Sequence, residues 1–297
     1  METEHQAPRS IDHLVLPVGS LDVARARLSA LGFIVAADAI HPFGTENACV
    51  FFADETYLEP LAVASREDCE AAAKAGNVFV ARDQAFRFRK GEGLSAIVVK
   101  SDDAFADDSR FRTQGFGAGD MLEFARLMRF PDGREINAAF KLAFAADLRG
   151  PDFFLFACQR INALPRDRGA LLVHDNGVVG ISRVVLVEDN PSDFQYLLEL
   201  GLGQRDVTAH SFGISLVAEN ATVDALTPEG FTAHFGGVSS RKGRGLEGAA
   251  VVFHCRDIGV TEACLAGNAI AYQKLGARLI VAPAPGQGVL FVFEEQA

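Results

Sequence analysis

Residues 11–33 read IDHLVLPVGSLDVARARLSALGF. Most of the first eight suit a buried β-strand, yet the third, His13, is titratable and able to bind a metal. A helix-like stretch follows and stops at Gly32, the residue type preferred just past a helix C-terminus. The same succession recurs three times. Strand-like runs begin with LSAIVVKS at 94, ISRVVLVE at 181 and AAVVFHCR at 249, and the stretches after them reach TQGF (113–116), ELGL (199–202) and KLGA (274–277). From strand start to glycine the spans are 21, 21, 20 and 27 residues, so the fourth copy is expected to carry a longer helix.

Further strand-like sequence follows the glycines. In the first copy it is FIVAADAI, NACVFFAD and TYLEPLAV; in the third, HSFGISLVAE and GFTAHFGG; in the fourth, ARLIVAPAP and GVLFVFEE. The unit is thus strand, helix, then about three strands, and four units make two pairs. DQAFRFRKGEG (83–93) and SSRKGRGLEG (239–248) read as polar, glycine-bearing loops between units, and PRDRGALLVHDNG (165–177) as the joint between pairs.

The bulk numbers narrow the function. The 297 residues suffice for one large domain or two ordinary ones, and 49% hydrophobic with 23% charged residues is a globular balance. A net charge of −11 repels phosphate backbones and anionic lipid, so neither nucleic acid nor a membrane is expected as a partner. The polar first ten residues lack a secretory pattern, and no apolar run reaches the roughly 18 residues of a membrane span. Five scattered cysteines without a C-x-x-C pair suit reduced thiols in a cytoplasmic protein. There is no G-x-G-x-x-G after a strand, no P-loop and no G-x-S-x-G elbow.

A βαβββ unit repeated in pairs resembles the vicinal oxygen chelate superfamily, which includes glyoxalase I, extradiol dioxygenases and bleomycin-resistance proteins. Asp12-His13, then HPFGTEN (41–47), then Tyr57-Leu58-Glu59 resemble the D-H, H-P-x-G-T-x-N and Y-L-E pattern of its glyoxalase-like domain family, over roughly the first 180 residues. The resemblance implies an α+β fold of four βαβββ modules paired into two domains with curved mixed sheets. One spans residues 1–170 and holds the candidate active site; the other, 171–297, is degenerate. It also implies a small-molecule substrate or ligand, and sheet edges of the kind that pair into homodimers.

Strand alternation places Ile11, His13, Val15 and Pro17 on one face, and Tyr57, Glu59 and Leu61 on another. In the superfamily the first and last strands of a unit each send a metal ligand into the cavity; the matching positions are His13 and Glu59. Imidazole and carboxylate suit a divalent ion such as Zn, Fe, Mn or Ni, which can hold two neighbouring substrate oxygens and stabilise an enolate, with Glu59 doubling as a base. The same two residues would equally form a plain hydrogen bond inside a closed sheet.

A full metal site needs more donors. Positions matching His13 in the other units are Ala96, Ser182 and about Ala250, none of them a good ligand, and in FFLFACQR (153–160) only Gln159 offers an amide oxygen. His41 is the further candidate ligand, Pro42 and Gly44 providing a bend that aims His41 and Asn47 at the cavity rim. Tyr57, Arg134 in the PDGRE turn and His174 in HDNG are candidate substrate contacts, His174 serving otherwise in a turn. His210 and His254 read as a strand-entry residue and a core residue. The 24 phenylalanines cluster in strands and suit an apolar pocket as well as a core. Two functions fit: a metal-dependent lyase, isomerase or dioxygenase, or a metal-free protein that sequesters a small molecule, as bleomycin-resistance proteins do.

Overall fold

The computed structural model describes residues 7–129, 133, 135–162, 168–237 and 243–295. It is a mixed α+β chain with two curved mixed sheets. The first unit runs β1 (Ile11–Pro17), α1 (Leu21–Ala30), β2 (Ala39–Ile40), β3 (Thr45–Asn47), β4 (Val50–Phe51) and β5 (Tyr57–Val63). Two helices follow, α2 (Arg66–Lys74) and α3 (Val78–Lys90). The second unit is β6 (Ala96–Ser101), α4 (Ala104–Thr113), β7 (Leu122–Arg129), β8 (Glu135–Ala145) and β9 (Phe154–Arg160). The third is β10 (Val178–Val187), α5 (Gln195–Leu202), β11 (Val207–His210), β12 (Gly213–Val217) and β13 (Thr222–Leu226), with α6 (Pro228–Phe235) after it. The fourth is β14 (Glu247–Cys255), α7 (Ile258–Gly267), β15 (Gln273–Leu275), β16 (Arg278–Val281) and β17 (Leu290–Glu295).

The sheets share one strand plan. The order is β2-β3-β5-β1-β6-β9-β8-β7 in the first, with β4 also on β5, and β11-β12-β13-β10-β14-β17-β16-β15 in the second. In each, the leading strands of two units meet antiparallel at the centre, and each leading strand pairs in parallel with its own unit's last strand. One apolar core joins the sheets through Ile11, Leu14, Leu28, Phe111, Ile181, Leu198, Phe253 and Leu265, drawn from both sheets and from α1, α4, α5 and α7. The opposite face of the first sheet packs Val15, Leu61, Val98 and Phe156 with Phe79 and Val80 of α3. That of the second packs Val185, Val252 and Val292 with Phe231 and Phe235 of α6. Burying each such side chain contributes about 1.5–3 kcal/mol.

Several local expectations are corrected. Residues 83–90 are the end of α3 rather than a loop, because Phe79, Val80 and Phe86 recur at helical spacing and bury one face. GFTAHFGG is mostly helix α6, begun by Thr227, whose hydroxyl accepts from the Gly230 amide, with Pro228 at the first helical position. The strand of that region is instead β13, TVDAL. Gly32 and Gly115 do lie just past helices at positive φ, but α5 continues through Gly201 to a left-handed Gly203. Gly276 turns the β15–β16 hairpin, so the fourth helix is not long: it stops at Gly267. No helix among the described residues is long and apolar enough to cross a membrane.

Candidate functional site

A bulge in β1 sets the site. Ile11 pairs with Val99 and His13 with Val98, so two steps on β1 oppose one on β6. The extra residue breaks strict alternation. Ile11 joins Leu14 and Leu16 in the inter-sheet core, off the face expected for it, while Asp12 and His13 both engage the opposite side. His13 Nδ1–H donates to Asp12 Oδ2 at 2.7 Å, and Arg160 Nη2 donates to both Asp12 oxygens at 2.6 and 2.8 Å. The His13 ring stacks on Tyr57 at 4.3 Å and meets the edge of Phe156. Its Nε2 stands 3.4 Å from Glu59 Oε2.

The second histidine comes from the β2–β3 turn. Gly44 has φ +90°, and a Cβ there would collide with the backbone of Ser65 and Cys69 at the start of α2, so the tight HPFG turn needs glycine. The turn holds His41 with Nδ1–H on Thr45 Oγ1 at 2.9 Å. Its Nε2 faces the Asn47 amide at 3.4 Å and Glu59 Oε1 at 3.9 Å. Asn47 Nδ2 donates to Glu59 Oε1 at 2.5 Å. The three motif segments thus converge on one buried carboxylate.

Charge is partitioned sharply here. Burial opposes ionisation of Glu59, yet the hydrogen bond and charge of His13, with the Asn47 amide, more than offset it and hold its pKa down at about 2. Burial likewise works against charged His13, but hydrogen bonds to Asp12 and Glu59 raise its pKa. Asp12, desolvated but bound by His13 and Arg160, is lowered. His41 is pushed down to about 4 by burial, so it is neutral with an Nε2 lone pair turned to Glu59 and Asn47. Burial lifts the Cys49 thiol to about 12, which leaves it unreactive. Two cations complete the surroundings: Arg126, whose charge acts on His41 and whose Nε has no partner among the described residues, and Arg168, over the Phe51 ring at 3.7 Å.

The donor types fit a divalent metal. Both imidazoles are fixed at Nδ1 by an oxygen and present Nε2 to the same carboxylate, the arrangement that orients metal-ligating histidines. Among the described residues, no three His, Cys, Asp or Glu side chains are gathered tightly enough to hold a metal as they stand. Asn47 occupies the Glu59 oxygen nearest His41.

The other candidates lie elsewhere. Gln159 is on the face of β9 opposite Phe156 and Cys158; it accepts from the Ala104 amide and donates to the Asp102 carbonyl, capping α4. His174 Nδ1 accepts from the Ile34 amide and Nε2–H donates to the Phe51 carbonyl, so both ring nitrogens are spent on the β1–α1–β4 backbone. Arg134 lies outside the described residues. Asp12, Thr45, Arg126, Arg160 and Arg168 were not foreseen; only Asp12 and Thr45, inside the D-H and H-P-x-G-T-x-N motifs, carried a signal.

Register defines equivalent positions in every unit. Val15 pairs with Glu59 in parallel and with Ala96 antiparallel; Val185 does the same with Asp224 and Ala250. β10 also repeats the bulge, Ile181 and Arg183 opposing Phe253 and Val252. The counterpart of His13 is therefore Arg183, not Ser182, which matches Asp12. Glu59 corresponds to Asp224, and in the second unit to Phe156, since Ala96 pairs with Phe154 as His13 does with Tyr57.

The comparisons agree with the fold. The family model described as "Glyoxalase-like domain" matches residues 11–200. The chain belongs to the glyoxalase-like domain family. Its paired βαβββ units give the fold that this family resemblance implied. A hypothetical protein from Staphylococcus aureus superposes with TM-score 0.66 at 14% identity, over 96% of this chain and 98% of that one. A triple mutant of 4-hydroxymandelate synthase from Streptomyces coelicolor gives 0.59 at 13% identity, over 97% and 93%. A xylose isomerase-like TIM barrel/4-hydroxyphenylpyruvate dioxygenase fusion protein gives 0.53 at 14%, over 98% of this chain and 50% of that one. No curated protein sequence matches the chain. At these identities the likeness is one of fold.

Proposed function

We propose that this glyoxalase-like protein is a divalent-metal-dependent lyase, isomerase or dioxygenase acting on a small anionic molecule with neighbouring oxygens, in the cytoplasm. One observation carries the reading: His13 and His41, each held at Nδ1 by Asp12 or Thr45, turn Nε2 toward the two oxygens of buried Glu59. His13, Glu59 and His41 would hold the ion, which would supply Lewis-acid stabilisation of charge developing on a substrate oxygen. Asp12 accepts from His13 Nδ1–H and so fixes the ring with Nε2 toward the ion. Arg160 keeps Asp12 ionised. Asn47 orients Glu59, which is held ionised and so able to ligate a cation. Phe43, Phe124 and Phe156 around the histidines exclude water, while Arg126 and Arg168 favour an anion.

The test is titration of chelator-stripped protein with Zn2+, Mn2+, Fe2+ or Ni2+. About one equivalent is expected for the wild type, and none after His13→Ala or Glu59→Gln. Wild type that stays near zero with every ion sinks the reading. A second reading, metal-free sequestration of a small molecule, draws on Ala96 and Phe156 standing where a second unit would supply ligands. It predicts that His13→Ala leaves ligand affinity unchanged while Phe156→Ala weakens it.

A further inference from the structure

The second sheet has a cavity of its own, about 420 Å3, within the size range of small-molecule sites. Its floor holds Arg183 and Asp224, the register counterparts of His13 and Glu59. The two are ion-paired, and a guanidinium in place of the imidazole excludes metal ligation at that position. The carboxylates there are already engaged. Asp224 also accepts from the Ser215 hydroxyl at 2.6 Å, and Glu294, the partner of Arg278, accepts from Arg278 Nε at 2.9 Å and Ser182 at 3.0 Å. The donors are in surplus. Each guanidinium has five N–H groups, of which Arg183 spends one on Asp224 and Arg278 one on Glu294. A ligand must therefore bring acceptors. The wall adds flat apolar surface: Phe212 meets His234 edge-on at 5.3 Å, and Phe235 lies 5.7 Å below the Arg278 guanidinium.

We propose that this cavity is a second ligand site, independent of the first, that binds a small aromatic carboxylate. The carboxylate sits on Arg183 and Arg278, as paired planar groups do. The ring lies against Phe212, beside His234. An acidic chain of net charge −11 gives an anion no general attraction, so binding must come from these local donors.

Benzoate is the probe, titrated calorimetrically into the full chain, with benzamide as its neutral counterpart. The wild type is expected to show a saturable benzoate equivalent that benzamide does not reproduce. Arg183→Gln should weaken it at least tenfold and Phe212→Ala several-fold, while His13→Ala leaves it unchanged. Phe212 is partly exposed, so Phe212→Ala reads the site even where Arg183→Gln disturbs folding. Absence of saturable benzoate binding overturns the proposal. So does an affinity that neither Arg183→Gln nor Phe212→Ala moves, or equal binding of benzamide, or loss of the equivalent in His13→Ala.

Discussion

The two sheets are the same scaffold carrying opposite chemistry. Both place a bulge within the leading strand of a unit, at Asp12 in β1 and at Ser182 in β10, and both aim the next residue at the last strand of its own unit. In the first half the result is Asp12, His13 and Glu59, with His41 and Asn47 closing the ring. In the second it is Ser182, Arg183 and Asp224, a closed ion pair beneath an open cavity. Backbone geometry therefore does not choose the function. It offers two inward positions per half, and the side chains there decide whether the face presents lone pairs or N–H groups. The coverings differ in step: α2 and α3 bury the first face, while the single α6 leaves the second partly open.

The comparison can be broken by exchanging its terms. The largest effect is expected from Glu59→Gln, which should lower affinity for a divalent ion at least ~100-fold in equilibrium titration, more than a supporting hydrogen bond does. The reverse graft, Arg183→His with Asp224→Glu, should give no second metal equivalent, because Ser182 cannot fix the imidazole as Asp12 does. A second equivalent in that variant would show that the pair alone suffices.

Asp12→Asn should destabilise the fold by about 3 kcal/mol in denaturant unfolding, the low end for breaking a buried ion pair because Arg160 keeps partial access to water. Ser182→Ala, its counterpart, should cost only about 1 kcal/mol, a neutral hydrogen bond. Equal losses would mean that Asp12 is no more than a structural polar residue. Gly180→Ala tests the seam between halves: a Cβ there collides with the Asp54 carboxylate, which accepts from the Ile181 amide, so a loss of about 1–3 kcal/mol is expected.

The smallest effect is one of pH. Burial lowers the pKa of His174, so the unfolded chain takes up the proton first. Its contribution is complete above the unfolded value of 6.5 and is lost as pH falls through the lower folded value. His174→Gln, which keeps one donor and one acceptor, should flatten the fall in unfolding free energy below about pH 6.5. An unchanged slope would assign that fall to other groups.

By itself the sequence determined the repeat, the α+β class and the three segments that meet at Glu59. These are local signals: apolar runs of strand length, glycines past helix ends, and residue types whose chemistry is visible one at a time. It misplaced GFTAHFGG, an apolar segment that fitted two periods, and took DQAFRFRK for a loop on its charges. It missed β13, whose Asp224 is the second half's answer to Glu59. Only the tertiary structure decided which residues face one another. Strand pairing joins positions far apart in the chain, and an extra residue at Asp12 in β1 and another at Ser182 in β10 locally shift which residues face inward. That shift brought Asp12 to His13 and Arg160, and put Arg183 rather than Ser182 opposite Asp224, which no alternation of residues along a single strand can reveal.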